Sequence, residues 1–409
     1  MVLRRRVALA AAASLAALAT PGHAQRIDQT APIIDLPGQD LPPEGVPLGP
    51  FRLYPSAEAG VVYDSNIYAS PTNVVGDGVF VLTPRVEAKL DSGPLNLSLL
   101  SELQFRRFFK HSTEDSDAAT LRIQGAYDLG STDTLAGFVS LRRAIEDRGD
   151  PEASQTRSTG PRRINLVDTE VAWTHDTGRA YLQVRGDASR INYLAPIDSD
   201  RDLAIYAGRA TAGYYVSGNV RAIVTGFYNR RDFRLATDYT GVNRDADTYG
   251  VRAGLNLAQS GFFHGEATVG VFHFAPDDPS LKGRTGLSAD ISMSYLPSRR
   301  LGFTLDGFRG DVATVRNGAQ QRTDTRVRLG VQAEARSNLH LQASAFYRHS
   351  SYIGTGITER TIGASGEAEY RINRYLAVAL TGSYAKRRSD DPSQPFERTR
   401  VAIELRSQF

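Results

Sequence analysis

The chain contains 409 residues, of which 23% are charged and none is cysteine, so disulfide bonds and thiolate chemistry are excluded. Beyond residue 24, no run of about 20 apolar residues is present from which a membrane-spanning helix could form. Removing residues 1–24 takes away three arginines and no acidic residue, so the formal net charge falls from +3 to 0 and gives no reason to expect a nucleic-acid partner.

The first segment of the chain has the three parts of a secretory signal. Arg4–Arg6 supply positive charge, Val7–Ala19 form an apolar stretch, and Gly22–Ala24 place small residues at a cleavage site. An apolar stretch of about 13 residues is short for a membrane span, which needs about 20. We therefore expect residues 1–24 to be a signal peptide that is removed on export. An N-terminal membrane anchor is the alternative.

Residues 25–50 form a proline-rich segment that lacks any strand-length alternation of apolar and polar residues. Its prolines are Pro32, Pro37, Pro42, Pro43, Pro47 and Pro50. Proline-rich chain is extended and rarely continues a helix or a strand, so we expect a periplasmic linker here. A docking peptide is the less favoured alternative.

From Phe51 onward, eighteen short segments alternate apolar and polar residues. In one of them, one parity holds Leu287, Ala289, Ile291, Met293 and Tyr295, and the other holds Ser288, Asp290, Ser292 and Ser294. Alternation with a period of two is typical of β-strands that have one apolar and one polar face. The sequence therefore predicts an all-β chain after the linker.

The breaks between these segments are alternately short and long. Short breaks such as Gly130–Asp133 and Ser217–Asn219 are rich in residues that favour tight turns. Long breaks such as Glu146–Arg163 and Arg231–Arg244 carry more charge. This pattern predicts a transmembrane up-and-down antiparallel β-barrel of about 18 strands over residues 51–409, with short periplasmic turns and longer extracellular loops.

Aromatic residues on the apolar parity gather at the ends of the predicted strands. Those that end inward-running strands are Tyr127, Trp173, Tyr214, Tyr295, Tyr370 and Phe409, and those that end outward-running strands are Tyr63, Phe105, Tyr228, Tyr347 and Tyr384. Amphipathic rings are enriched at both interfaces of a membrane, so we predict two aromatic girdles. The general preference of aromatic residues for strands is the simpler alternative.

Charged residues fall on the opposite parity. The candidates for lining the lumen are Arg85, Glu87, Lys89, Glu102, Arg106, Arg122, Arg185, Arg221, Arg252, Glu266, Arg326, Arg328, Glu334, Arg400, Glu404 and Arg406. An arginine or lysine that faces lipid near the midplane costs about 2–4 kcal/mol, so we predict that these side chains face an enclosed polar lumen.

A lumen of this size predicts a water-filled channel, and the sequence leaves open whether an infolded outer loop narrows it. The charges lining it could pair with one another and stiffen the wall, or attract anions and bind sugar hydroxyls, and the sequence leaves both roles open. Few aromatic residues share the polar parity, with Phe227, Phe272 and Phe346 as exceptions. A continuous track on which sugars could stack is therefore not predicted.

Histidine and serine offer little for catalysis. The chain after residue 24 has six histidines, His111, His175, His264, His273, His340 and His349, and no pair has the helical spacing of metal ligands, so we expect no metal and no cofactor. His340 and Ser344 share the lumen parity of one strand, which makes a hydrolase conceivable. Because no orienting partner or oxyanion donor can be identified, we do not expect an enzyme.

The final strand and several other segments resemble known outer-membrane proteins. The alternation of Arg398–Phe409, ending in phenylalanine, is similar to the C-terminal signature that the outer-membrane assembly machinery reads. Residues 51–409 as a whole resemble the second family of β-barrel porins of Gram-negative bacteria, with Gly60–Tyr68 (GVVYDSNIY), Gly265–Gly270 (GEATVG) and Tyr370–Arg374 (YRINR) as the most similar segments.

The resemblance implies a location in the bacterial outer membrane, with contacts to outer-membrane lipid and lipopolysaccharide. Members of that family are often encoded beside exopolysaccharide genes, which implies a role in polysaccharide export and contact with other export components. A general diffusion porin for small solutes is the first alternative. A barrel sealed by its loops, which acts as an anchor or receptor, is the second. The resemblance carries no catalytic residues.

Overall fold

The computed structural model describes residues 43–153, 160–257, 262–316 and 318–409. The predicted signal peptide, the linker up to residue 42 and the predicted turn at 258–261 lie outside the described residues. Within the described part of the chain, no helix is long and apolar enough to cross a membrane.

Most of the described chain is β-strand. The strands are β1 (Val46–Leu48), β2 (Phe51–Asp64), β3 (Asp77–Ser92), β4 (Leu95–Phe108), β5 (Ser116–Asp128), β6 (Asp133–Ile145), β7 (Arg163–Asp176), β8 (Ala180–Tyr193), β9 (Leu203–Ser217), β10 (Val220–Phe233), β11 (Ala246–Leu257), β12 (Phe263–Pro276), β13 (Arg284–Ser298), β14 (Leu301–Val312), β15 (Gln321–Arg336), β16 (Leu339–Ile353), β17 (Thr358–Arg371), β18 (Leu376–Ser389) and β19 (Phe396–Gln408). Two 3₁₀ helices, Ser112–Glu114 and Pro196–Arg201, lie in the connections after β4 and β8.

Strands β2 to β19 form a closed barrel. Each strand pairs antiparallel with its neighbours in the sequence, and β19 pairs with β2 so that Val401 lies opposite Tyr63. Closure satisfies the backbone hydrogen bonds of every strand, which is the condition under which strands can cross a membrane. The predicted all-β up-and-down barrel of about 18 strands is confirmed.

The two rims of the barrel differ in the length of their connections, as predicted. At the turn rim, β3 and β4 are joined by Gly93 and Pro94 alone, and Gly93 has a positive φ of 66° that only glycine adopts without strain. At the loop rim, the connections are longer, and the connection between β6 and β7 spans residues 146–162. The alternation of short and long breaks in the sequence is therefore the alternation of the two rims.

The short strand β1 lies at the turn rim, beside the seam where β19 meets β2. Val46–Leu48 pair with Phe51–Leu53, next to the point where the backbone N–H of Phe409 donates a hydrogen bond to β2. Beyond the end of β19, β1 therefore takes its place as the hydrogen-bonded neighbour of β2. The last part of the linker predicted over residues 25–50 is thus a strand, because Gly49, with a φ of 57°, lets the chain turn back.

The two faces of the barrel wall carry different side chains. On the outer face, apolar side chains such as Val171 (59% exposed), Leu329 (56%) and Leu380 (56%) have no protein cover. The inner face carries most of the charged side chains, many of them buried against one another. An outer band of uncovered apolar residues around a polar interior is the arrangement that a barrel needs in a lipid bilayer.

Candidate functional site

The strand register places the predicted lumen charges on the inner face. Arg85 lies opposite Glu102, while their neighbours on the outer face pair as Leu82 with Phe105. Following the pairing around the barrel gives the same inner face for Glu87, Lys89, Arg106, Arg122, Arg185, Arg221, Arg252, Glu266, Arg326, Arg328, Glu334, Arg400, Glu404 and Arg406. Their contact with a permeating solute stays a prediction.

Several of these charges pair with one another. The Arg406 guanidinium donates hydrogen bonds to Glu367 (2.7 Å), Glu369 (2.8 Å) and Glu404 (2.8 Å), which joins β17 to β19 across β18. Arg185 lies 3.6 Å from the carboxylate of Glu170 on the neighbouring strand. Such pairs stiffen the wall, one of the two roles that the sequence left open.

Arg122 and Arg326 have a different environment. Among the described residues, neither guanidinium forms an ion pair. Each lies over an aromatic ring instead, Arg122 over Phe138 at 4.1 Å and Arg326 over Phe308 at 4.4 Å. A ring face attracts a cation without neutralising its charge, so these two arginines keep their positive charge available to the lumen.

The sequence analysis missed Phe138 and Phe308 as inner-face aromatic residues. Together with Phe227, Phe272 and Phe346 they lie on β6, β10, β12, β14 and β16. A side chain added at Gly250, Gly286 or Gly363 would clash with the ring of Phe227, Phe272 or Phe346, so these three rings lie against glycines of the wall. The signal in the sequence was the parity that Phe138 shares with Ser140 and Arg142.

The connection between β6 and β7 folds into the lumen. We call its described part, residues 146–153, the crossing loop. Its Asp147 carboxylate accepts hydrogen bonds from Arg398 (2.7 Å) and Arg400 (2.8 Å) of β19. Its Arg148 donates to Glu114 of the connection between β4 and β5 (2.7 Å). Both contacts draw the loop inward from the rim.

The far end of the crossing loop reaches the opposite wall. Glu152 accepts hydrogen bonds from the Arg322 guanidinium of β15 (2.7 Å), from the Thr314 hydroxyl (2.8 Å) and from the Val315 backbone N–H (2.7 Å). β15 lies nine strands from β6 in a barrel of eighteen, so this contact spans the lumen. Glu152 has a positive φ of 67°, a strained conformation for a residue other than glycine, which these hydrogen bonds hold in place.

A second loop, between β14 and β15, also folds inward. Its Ala313 and Val315 pack against Leu203, Ile205 and Phe233 on the inner face of β9 and β10. The two infolded loops meet at Glu152 and restrict the loop-rim end of the lumen. Near the turn rim, by contrast, the side chains of Arg85 and Lys89 are 43% and 53% exposed, so that end is open to water.

The ionisation of Asp147 makes the position of the crossing loop depend on pH. Burial raises the pKa of the Asp147 carboxyl, but Arg398 and Arg106 outweigh burial and hold the pKa below the ordinary value of 3.8. Because the pKa of Asp147 is lowered, its ionised form stabilises the loop in its position across the lumen. This stabilisation is fully present above the ordinary pKa and is lost as the pH falls through the lowered pKa. We expect bilayer conductance to be constant from neutral pH to about pH 4 and to rise below it.

The variant Asp147→Asn isolates this effect. Asparagine keeps the shape of the side chain but carries no charge that acid could remove, so the rise in conductance at low pH should be smaller than in the unaltered protein. An equal rise in both proteins would show that other carboxyl groups control the loop.

The predicted girdle residues lie on the outer face near the strand ends. Tyr63, Tyr127, Tyr214, Tyr228, Tyr295, Tyr347, Tyr370 and Phe409 are exposed, and Phe105, Trp173 and Tyr384 are half-buried. The polar groups of these side chains form hydrogen bonds near the strand ends. The Tyr228 hydroxyl donates to Asp247 (2.7 Å), and Trp173 Nε1 donates to Asp133 (3.1 Å). Rings with one apolar and one hydrogen-bonded end suit a membrane interface, and their position there stays a prediction.

The histidine and serine considered for catalysis do not meet. His340 and Ser344 are four residues apart on β16, about 13 Å along a strand, and the Ser344 hydroxyl is hydrogen-bonded to the Ser365 hydroxyl at 2.9 Å. Within the described residues, no three His, Asp or Glu side chains are grouped so as to hold a metal ion.

Solved structures of other barrels resemble this one in fold. OccK2 (OpdF) of Pseudomonas aeruginosa shares 10% sequence identity over 88% of this chain and 99% of its own, with a TM-score of 0.47. The siderophore receptor PirA from Pseudomonas aeruginosa shares 8% over 88% of this chain and 80% of its own, with a TM-score of 0.44. OccAB4 of Acinetobacter baumannii shares 9% sequence identity over 88% of this chain and 98% of its own, with a TM-score of 0.44.

Sequence comparison identifies the family. None of the curated proteins matches the chain. The model of the family described as "Putative beta-barrel porin 2" matches residues 41–409, which includes β1 and the whole barrel. The chain therefore belongs to this family of β-barrel porins.

Proposed function

We propose that this outer-membrane porin is a passive channel for small polar solutes and that the crossing loop sets the largest solute that passes. The observation that carries the proposal is the bridge from Glu152 to Arg322, which holds the loop across the lumen. The channel is open to water near the turn rim, where Arg85 and Lys89 are exposed, and restricted near the loop rim. A solute is therefore selected by size at the loop rim.

The lining of the lumen supports passage of hydroxyl-rich and anionic solutes. A polar solute that leaves water for a channel must exchange its hydrogen bonds with water for hydrogen bonds with the wall. Paired groups such as Arg406 and Glu367 offer both donors and acceptors. Arg122 and Arg326, which lie over aromatic rings and form no close ion pair among the described residues, add positive charge. No chemical step is required, because the wall only lowers the barrier to diffusion.

Liposome swelling with sugars of increasing size tests this proposal. Vesicles that contain the purified chain should swell rapidly in a monosaccharide, more slowly in a trisaccharide, and not at all in a dextran. Equal rates for the monosaccharide and the trisaccharide would contradict selection by the crossing loop. Absence of swelling in every sugar would contradict the channel itself and favour a sealed barrel that serves as an anchor or receptor.

Export of an exopolysaccharide is the second candidate. The observation that favours it is the set of inner-face rings with stacked guanidinium groups, since an apolar ring face and an N–H edge together suit a sugar ring and its hydroxyls. In this case the crossing loop has to leave the lumen while a polymer passes. The contacts of Glu152 would then be the closed state of a gate.

Genetic removal of the chain tests the export candidate. Loss of the protein should reduce the amount of polysaccharide at the cell surface, and the polymer or its precursors should accumulate in the periplasm. A variant whose crossing loop is shortened should restore export. Unchanged surface polysaccharide after removal of the chain would contradict the export role and leave small-solute diffusion.

A further inference from the structure

A row of mostly basic side chains lies on the outer face of the barrel near the loop rim. The strand register places its members opposite one another on five successive strands: Arg309 of β14, Thr325 of β15, His349 of β16, Arg360 of β17 and Arg388 of β18. We call these five residues the basic row. Because side chains alternate between the two faces of a strand, the basic row shares the outer face with Tyr347 and is separate from the charges of the lumen.

Two members of the basic row bring like charges together. Arg360 and Arg388 are exposed and lie directly opposite each other, so their Cβ atoms are about 5 Å apart. Within the described part of the chain, neither guanidinium has a hydrogen bond or an ion pair. Arg360 attracts the Asp390 carboxylate only from a distance, and this carboxylate accepts hydrogen bonds from the backbone N–H (3.0 Å) and the hydroxyl (2.6 Å) of Thr358. Like charges opposite each other destabilise a sheet, so an anion that contacts both guanidinium groups would stabilise this one.

Three other basic residues on the outer face at this rim have a carboxylate partner instead. The pairs are Arg107 with Asp117 (2.7 Å), Arg230 with Asp277 (2.6 Å) and Lys386 with Glu397 (2.9 Å). A carboxylate on a neighbouring strand or loop neutralises each of these three charges. The basic row differs from them because the charges of Arg360 and Arg388 are left for a ligand to neutralise.

The position of the basic row relative to the predicted aromatic girdle indicates a lipid. His349 is two residues beyond Tyr347, and Arg388 is four residues beyond Tyr384, which is about 7 Å and 13 Å along the strand. On the opposite side of the row, Val327 and Ile362 are 39% and 50% exposed. Aromatic rings lie at the level of the lipid headgroups, so the basic row faces the headgroups and the apolar side chains face the acyl chains.

The length of the basic row favours a headgroup with two phosphates. Arg309 lies three strands from Arg360, a separation of about 14 Å. Arginine binds phosphate through paired, charge-assisted hydrogen bonds, so each end of the row suits one phosphate. A glycerophospholipid with a glycerol headgroup carries one phosphate. Lipid A, the membrane anchor of lipopolysaccharide, carries one at each end of a disaccharide.

We propose that the basic row binds the phosphate groups of lipopolysaccharide in the outer leaflet. One phosphate contacts Arg360 and Arg388, the second contacts Arg309, and the acyl chains lie against Val327 and Ile362. The site turns a general expectation of contact with this lipid into a defined place on β14 to β18. It lies on the outer face of the wall, so it goes beyond the proposed channel and does not depend on it.

Native mass spectrometry of the detergent-solubilised full chain, titrated with diphosphorylated lipid A, tests the proposal. We expect the double variant Arg360→Gln, Arg388→Gln to bind about tenfold or more weakly, because the charge-assisted hydrogen bonds to one phosphate are lost. Both side chains are exposed, so the fold should be unaffected. Arg107→Gln with Arg230→Gln is the matched control. It removes two outer-face charges that already have carboxylate partners and should bind as the unaltered protein does.

Arg309→Gln separates the two phosphate positions. This variant should bind diphosphorylated lipid A several-fold more weakly and should bind the monophosphorylated form as the unaltered protein does. An equal loss with both forms would overturn the assignment of the second phosphate to Arg309.

The ligands compared with lipid A decide the chemical class. Lipid A without phosphates and phosphatidylglycerol should each bind more weakly than diphosphorylated lipid A, and inorganic phosphate at the same concentration should not displace it. Unchanged binding in the double variant, an equal loss in the control, or equal binding of either comparison lipid would overturn the proposal. Displacement by inorganic phosphate would also overturn it and assign the basic row to a free anion. These measurements need no current through the barrel, so they stand whether or not the channel conducts.

Discussion

Replacing residues 147–153 with a short glycine-serine linker is expected to raise the single-channel conductance several-fold. The replacement removes Asp147 and Glu152, the carboxylates that hold the crossing loop to β19 and to β15. Breaking a buried ion pair costs about 3–5 kcal/mol, so the loop cannot keep its position across the lumen once both anchors are gone. Planar-bilayer recording measures the change directly.

The barrel itself should tolerate this replacement. In this variant Arg398 still has the carboxylate of Asp64 as a partner, at 2.6 Å, and Arg322 still has that of Asp324, at 3.0 Å. Neither guanidinium is therefore left buried without a partner. The matched control is a replacement of residues 279–282 in the loop between β12 and β13, which is largely exposed and should leave the conductance unchanged. If the crossing-loop variant conducts no better than this control, the loop does not restrict the channel.

The barrel could be predicted from the sequence because its signals are local. The alternation of apolar and polar residues, as in Leu287–Tyr295, indicates which face of a strand meets lipid. It can be recognised from residues that are neighbours in the chain. The length and composition of a turn such as Gly130–Asp133 indicate at which rim of the barrel it lies. Because these two signals repeat along the whole chain, an error in one strand does not change the architecture.

The crossing loop could not be located in the same way. Glu152 and Arg322, its decisive contact, are 170 residues apart in the sequence. The long breaks at Glu146–Arg163 and Arg231–Arg244 both carry mixed charge, and nothing local distinguishes a loop that enters the lumen from one that stays at the rim. The choice depends on which guanidinium groups the opposite wall presents, and this is known only once the barrel is closed.

Single side chains show the same limit. Phe138 and Phe308 follow the strand parity and could have been assigned to the inner face from it, but the guanidinium groups that lie over their rings, Arg122 and Arg326, come from neighbouring strands. The burial of Asp200, which is only 5% exposed, has no counterpart in the sequence, where the residue stands in an ordinary acidic loop. Burial and pairing arise from several loops that meet at the rim.

A charge placed on the outer face should be the most destabilising single change in the barrel wall. Leu380 lies near the middle of β18 and is 56% exposed on the outer face. Leu380→Arg places a guanidinium in the hydrocarbon region, where an arginine near the midplane costs about 2–4 kcal/mol. We expect the free energy of unfolding, measured by denaturant titration in lipid vesicles, to fall by this amount.

Thr381→Arg is the matched control, since it adds the same side chain one residue away. Thr381 lies on the inner face, and the register places it opposite Glu367. A guanidinium at this position stays in water and has a carboxylate within reach, so the free energy of unfolding should change by less than about 1 kcal/mol, the usual range for a solvated ion pair. Equal losses from the two variants would mean that both faces of β18 meet the same medium, which a barrel with a wet lumen in a bilayer does not allow.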